Sequence, residues 1–386
     1  MMHLYDTASR EVVEFEPSRL VTLYTCGITP YDAAHLGHAA TYLAFDLLQR
    51  RLRDLGHDTR CVRNVTDVDD DILRKARELG VHYLDLAAEE LARFDKSMSA
   101  LGLLPAASEP RATSAIAEIL SLVDAVLESG NAYKSGGAVY FDVSSFERFG
   151  QLSHLGRSEM LTLAAERGGN IEDPNKSDPL DFVLWQPSAS DEPAWQSRYG
   201  PGRPGWHVEC SALALREIGE TVDIHGGGRD LVFPHHECEA AQSEAVTGRP
   251  LARHWMHAGM VGLDGEKMSK SLGNLVFVED LLNECEPAVA RLALLSHHYR
   301  EDWEWRDSEI DIAADRLESW RGAARLAGTA EGSRAPVLDA VRGRLDDDLD
   351  TPSALAVIDD AASPGRRRGN AAQLVASAEL LGVSLS

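Results

Sequence analysis

The stretch from Tyr24 to His38, Tyr-Thr-Cys-Gly-Ile-Thr-Pro-Tyr-Asp-Ala-Ala-His-Leu-Gly-His, constrains this chain more than any other. The apolar run Leu20-Val-Thr-Leu-Tyr24 before it predicts a buried strand. Behind it, Ala40, Leu43, Ala44, Leu47, Leu48 and Leu52 recur at helical spacing. Strand, loop and helix in that order place the loop at the carboxyl end of a sheet strand, where open α/β sheets bind their ligands. His35-Leu-Gly-His38 opens the helix. Unpaired backbone N–H groups and the dipole attract phosphate there, and Gly37 lets a nucleotide approach the backbone. Cys26, at the strand end, is a soft candidate metal ligand. The bland alternative is a buried cysteine beside surface histidines.

The rest of the chain reads as two halves of one sheet with an insertion. Asp58 to Val65 predicts a second strand, followed by Thr66-Asp-Val-Asp-Asp-Asp71 and a helix from about Ile72 to Leu79. That acidic run suits a metal site or, equally simply, the N-terminal turn of a helix. Helical spacing resumes from Leu84 to Leu101, and Pro105 to Pro110 breaks it. Residues 111–180 differ in texture: a helix near Ala112–Ser129, a strand pair around Ala138-Val-Tyr-Phe-Asp-Val143, then Gly- and Asn-rich loop. Strand–helix alternation returns over 181–262, with Pro234-His-His-Glu-Cys-Glu239 opening a helix and Trp255 to Val261 as a last strand. The expected organisation is a catalytic domain in two halves, 19–110 and 181–262, with an inserted domain at 111–180. A lysine-loop and stem-contact region at 263–312 and a helical region at 313–386 follow. Gly328 to Pro336 is a candidate linker, and Arg366-Arg-Arg368 a solvated basic run.

Composition narrows the partners. Net charge is −24, which disfavours a broad polyanion-binding surface. No apolar run approaches the ~18 residues of a membrane span. Five cysteines without an export signal argue against a disulfide framework and for a reducing, cytoplasmic setting.

Two sets of residues carry chemistry. His235 and Glu239 lie four apart on the predicted helix and so share a face. With Cys210 and Cys26 at other loop–helix junctions they offer two thiolates, an imidazole and a carboxylate, a donor set for tetrahedral zinc. Such a metal would hold a substrate thiol and bind a hydroxyl poorly, where an apolar pocket discriminates weakly. Cys61, Cys238 and Cys285 read as packing residues. The second set pairs His35 and His38 with Lys267-Met-Ser-Lys-Ser271, a loop flanked by Gly262, Gly265 and Gly273 and suited to a mobile lid. Lys267 and Lys270 can offset charge developing on a triphosphate.

These motifs, with Cys26-Gly, Thr66-Asp-Val-Asp-Asp, Gly205-Trp-His-Val-Glu-Cys210 and Phe233-Pro-His-His-Glu237, resemble the class I aminoacyl-tRNA synthetases and, within them, the cysteine-activating branch. The resemblance covers about residues 2–360. It implies a doubly wound, Rossmann-type parallel α/β sheet with an inserted domain and a C-terminal helical region. The branch holds cysteinyl-tRNA synthetases and the mycothiol-pathway ligases that join cysteine to glucosaminyl-inositol. Cys26-Gly-Ile-Thr-Pro-Tyr-Asp, His38-Ala-Ala-Thr-Tyr42 and Glu166-Arg-Gly-Gly169 look like the ligase version. The short remainder after Asp348-Leu-Asp-Thr-Pro352 leaves little room for an anticodon-binding domain. Glu239 cuts the other way, because it stands where the synthetases supply a fourth zinc ligand. The resemblance implies zinc on Cys26, Cys210 and His235. It implies an adenylate held by Gly27, Ile28, Thr29, Thr41, Asn64, Val65, Thr66, Trp206, Gly228, Arg229, Asp230 and Val261. ATP with magnesium, cysteine and glucosaminyl-inositol are then the small-molecule partners of a monomer that uses neither tRNA nor membrane. A tRNA-charging synthetase and a non-catalytic cysteine or adenylate sensor are the alternatives.

Overall fold

The computed structural model describes residues 1–263, 265–268, 273–325, 335–366 and 371–385. The chain opens with an antiparallel hairpin, β1 (Met2–Asp6) and β2 (Glu11–Phe15). β3 (Leu20–Ile28), α1 (Leu36–Asp54) and β4 (Asp58–Val65) follow. Val21, Leu23 and Tyr24 are wholly buried, as the apolar run requires. α2 (Asp70–Leu79), α3 (Tyr83–Ala100) and α4 (Ile116–Glu128) come next. Then β5 (Ala132–Ser135), β6 (Ala138–Phe141), α5 (Arg157–Glu166), β7 (Phe182–Pro187) and β8 (Gly202–Pro204) form the insertion. Its four strands make an antiparallel sheet in the order β5-β6-β7-β8.

The chain returns through α6 (Trp206–Glu217), β9 (Val222–Gly228), α7 (Glu237–Thr247) and β10 (Ala252–Ala258). The central sheet runs β10-β9-β3-β4, all parallel. α1 carries the chain from β3 outward to β4, and α7 carries it from β9 outward the other way to β10. The direction therefore reverses between β3 and β9, and a crevice opens at their carboxyl ends. Cys26 and Gly228 stand on its two lips. The backbones there are packed to contact: a Cβ on Gly27 would lie 1.6 Å from the Asn64 carbonyl oxygen, and one on Gly226 would lie 1.7 Å from that of Met256.

β11 (Val261–Leu263) and β12 (Glu266–Lys267) come next, then α8 (Val278–Glu284) and α9 (Pro287–Leu295). β13 (Trp303–Glu304) joins β11 and β12 in a small sheet. α10 (Ser308–Ala324), α11 (Pro336–Leu345), α12 (Thr351–Ala362) and α13 (Ala371–Leu380) pack as a helical layer around Trp320, Leu355 and Leu374. The strand expected from Trp255 to Val261 is two strands. The chain leaves the main sheet after Ala258 at Gly259, where a Cβ would sit 2.0 Å from the Glu301 carbonyl. A continuous apolar run hides such a turn. For the same reason the boundary expected at 180 falls inside the antiparallel sheet, since β7 and β8 pair with the insertion's hairpin. The boundary expected at 312 falls inside α10. Most of the candidate linker, and Arg367 and Arg368 of the basic run, lie outside the described residues. Among the described residues no helix is long and apolar enough to cross a membrane.

Candidate active site

The floor of the crevice brings four distant donors together. Cys26 lies near the end of β3, Cys210 in the second turn of α6, His235 in the wide turn Val232–His236, and Glu239 in the first turn of α7. That turn is less regular than the expected helix, because Phe233 is extended, yet His235 and Glu239 still meet. The donor atoms of all four lie within 4.8 Å of one another, and all four residues are buried. Cys26 Sγ is 3.2 Å from Glu239 Oε1, and His235 Nε2 is 3.1 Å from the same oxygen.

Electrostatics tie the set together. A hydrogen bond from Cys26, backed by His235, draws the Cys210 thiol down to about 7 against the opposing effect of burial. Burial and then Cys210 push the Cys26 thiol well up. Burial opposes charge on His235, but Cys210 and Glu239 outweigh it and hold the imidazole up at about 10. Burial also opposes the Glu239 carboxylate, and His225 and His235 overcome it. Two sulfurs, a nitrogen and a carboxylate in one buried cluster are the donor chemistry of a zinc site, and metal binding takes the place of the shared protons. The residues present fit that ion.

Behind the cluster lies a layer of histidines that sequence reasoning missed. His225 Nε2 is 3.2 Å from Glu239 Oε2. His236 Nε2 is 3.3 Å from Cys26 Sγ, and its Nδ1 is 2.7 Å from His257 Nε2. His257 Nδ1 in turn meets the Thr7 hydroxyl at 2.7 Å, and His207 Nδ1 meets His235 Nδ1 at 2.9 Å. Burial, then His257, holds His236 well below its ordinary pKa, and burial, then His225, lowers His257 to about 3. Neutral rings of this kind orient metal ligands. The doublet His235-His236 was the one visible signal, since a histidine inside a strand reads the same as a packed core residue.

Above the floor opens a cavity of about 1090 Å³. Cys26 and His235 line it, together with Gly27, Ile28, Thr29, His35, His38, Thr41, Trp206, Gly228, Asp230 and Val261. His35 is the N-cap of α1, its Nδ1 accepting from the Gly37 N–H at 3.1 Å, while the His38 ring accepts from the His35 N–H. Trp206 stacks on His235 with ring centres 4.3 Å apart. The other expected nucleotide residues stand behind this lining. Asn64 accepts from the Gly27 N–H at 2.8 Å and donates to the Thr66 hydroxyl at 3.1 Å. Val65 pairs with Ile28, and the Thr66 N–H donates to the Ile28 carbonyl. These three hold the Gly27–Ile28 backbone in place. Arg229 points to the rim, where it donates to Asp302 at 2.7 Å and to the Arg300 carbonyl. Lys267 belongs to β12, and Lys270 lies outside the described residues.

The acidic run resolves as capping. Asp69 accepts from the Ile72 N–H at 2.9 Å at the start of α2 and from the Thr29 hydroxyl at 3.2 Å. Asp67 accepts from Thr113. Glu166-Arg-Gly-Gly169 does end a helix, α5, but its arginine does more: Arg167 donates to the carbonyls of Asp230 and Phe233, and residues 166 to 169 line the cavity. Cys61 and Cys238 are buried, Cys285 is half-buried, and all five cysteines are unpaired thiols.

Known proteins resemble this chain over most of its length. The model of the tRNA synthetases class I (C) catalytic domain matches residues 12–315. The L-cysteine:1D-myo-inositol 2-amino-2-deoxy-alpha-D-glucopyranoside ligase of Mycobacterium marinum is 50% identical, over 100% of this chain and 96% of its own. The ligase of that name from Nocardiopsis dassonvillei is 48% identical, over 96% and 91%. Among solved structures, Mycobacterium tuberculosis methionyl-tRNA synthetase in complex with methionyl-adenylate matches with a TM-score of 0.67. It is 17% identical over 94% of this chain and 90% of that one, a likeness of fold.

Proposed function

We propose a two-step, ATP-dependent cysteine ligase, on the premise that the chain belongs to the class I (C) tRNA-synthetase catalytic-domain family and, within it, to the L-cysteine:1D-myo-inositol 2-amino-2-deoxy-alpha-D-glucopyranoside ligases. In the first step the cysteine carboxylate attacks the α-phosphorus of ATP, pyrophosphate departs and cysteinyl-adenylate forms. In the second, the amine of glucosaminyl-inositol attacks the acyl carbon, AMP leaves, and an amide forms as the amine loses its proton.

One observation carries this reading: a buried cluster of soft donors and the amino end of α1 open onto the same cavity. Zinc held by Cys26, Cys210 and His235 supplies a thiophilic Lewis acid that keeps a substrate thiol as thiolate and takes a hydroxyl poorly. Glu239 lies within reach of the same point as a further oxygen donor. Gly27, Ile28, Thr29, Thr41, Trp206, Gly228, Asp230 and Val261 form the adenylate wall; Asn64, Val65 and Thr66 brace it, and Arg229 stands at its rim. His35, His38, Lys267 and Lys270 offset charge on the departing phosphates, with magnesium accompanying ATP. The reading takes the enzyme as cytoplasmic and monomeric, with no part for tRNA.

The first step is tested by cysteine-dependent exchange of pyrophosphate into ATP with metal-replete protein. The second is tested by offering glucosaminyl-inositol and tRNA in parallel. Ligation to the amino sugar is expected; charging of tRNA alone would reject the assignment.

A further inference from the structure

The cavity has two unlike walls. Every group assigned above to the adenylation step lies outside the insertion. The facing wall comes from the insertion, and the polar groups it presents, among them Asp173, Asn175 and Lys176, have no part in that step. The space is also generous. Small-molecule pockets run to ~300–1,000 Å³, and this one measures about 1090 Å³, at the top of that range.

Asp173 and Asn175 are held in place by their neighbours in the insertion. Asp173 accepts from the Tyr140 hydroxyl at 2.8 Å, and from the Asn175 backbone and side-chain amides at 3.0 Å each. The Asn175 N–H, against slight burial, holds its carboxyl below the usual range, so it faces the cavity ionised. Asn175 is seated against the hairpin turn at Gly136, where a Cβ would come within 2.4 Å of its side chain. Lys176 is half-buried, with the charges of Asp173 and Asp181 near enough to act on its ammonium. A fixed carboxylate accepts from hydroxyls, while an ammonium donates to their oxygens. Asp173 would repel a phosphate, and so much polarity is unsuited to an apolar occupant.

We infer that Asp173, Asn175 and Lys176 form the acceptor subsite, binding the hydroxyls of a polyhydroxylated amine and aiming its amine at the adenylate. This rests on the ligase reading above and names positioning residues for its second step.

The test uses the full chain with Asp173→Asn, Lys176→Met and Lys176→Arg, each assayed twice. Cysteine-dependent pyrophosphate exchange reports the first step, and ligation at varied glucosaminyl-inositol reports the second. Exchange within about twofold of wild type is expected, with KM for glucosaminyl-inositol raised about tenfold or more in Asp173→Asn and Lys176→Met, the scale of a lost charged hydrogen bond. Lys176→Arg should recover part of that loss. An unchanged KM in both variants would overturn the inference, and so would exchange falling in step with ligation, which would make the wall structural. Absence of exchange in the wild type would instead bring down the ligase reading, and this subsite with it.

Discussion

The floor and the rim of the cavity are built in opposite ways. On the floor, Cys26, Cys210, His235 and Glu239 are all nearly without solvent exposure, and each leans on another buried polar group. At the rim, His35 and His38 are half-buried at a helix end, and the chain continues through Lys267 toward residues outside the described set. A buried, pre-oriented floor suits discrimination between a thiol and a hydroxyl, because the donors cannot rearrange to suit the wrong ligand. An open rim suits a triphosphate that must enter and a pyrophosphate that must leave. On the proposed reading, selectivity and turnover belong to different depths of one pocket.

The contrast can be broken at either level. The largest effect is expected from the floor. Cys210→Ala should lose the metal and cut cysteine-dependent exchange by about 1000-fold or more, since a site missing a thiolate binds zinc poorly. Metal analysis beside the exchange assay checks this, and full metal occupancy in the variant would place the ligands elsewhere. Next comes the rim. Lys267→Ala should lower exchange by about 100- to 1000-fold through lost charge stabilisation, while metal content stays at the wild-type level. Loss of both together would erase the distinction between depths.

A smaller effect is expected one layer down. His225→Ala removes the group 3.2 Å from Glu239 and should weaken metal binding about 10- to 100-fold, as read by competition with a chelator. The last concerns the stability of the fold, through Asp69 on the cavity wall. Burial lifts its carboxyl from 3.8 to about 6. The folded protein therefore holds an extra proton between those values. Stability should fall as pH rises from about 4 to about 6, by roughly 3 kcal/mol from this group, and then level off. Asn is an equally good N-cap, so urea denaturation of Asp69→Asn across that range should show the decline reduced. An identical profile would mean the carboxyl is not held up by burial.

The legible parts of the molecule share a physical character. Asp58 to Val65 was readable to the residue, because the strand stood between a turn and an acidic cap. The N-terminal turn of α1 was readable because glycine and histidine at a strand–helix junction leave few other roles. Where the reading stopped short, a strand's partner was at issue. β7 is as apolar as a parallel strand yet pairs antiparallel within the insertion. Asn64 and Arg229 carry the right chemistry for a nucleotide, but the first braces Gly27 and the second turns to Asp302.

What the sequence determined by itself is the kind of chemistry available: soft donors, a phosphate-attracting helix end and a lysine loop, each a property of residue type and local spacing. Which of them meet was decided by tertiary structure. Cys26 and Glu239 stand 213 residues apart, and only the parallel pairing of β3 with β9, in the register that sets Thr25 beside Gly226, brings their donor atoms together. The histidines behind them follow the same rule, for a buried imidazole becomes a ligand's support only when pairing between distant strands gives it a ligand to hold.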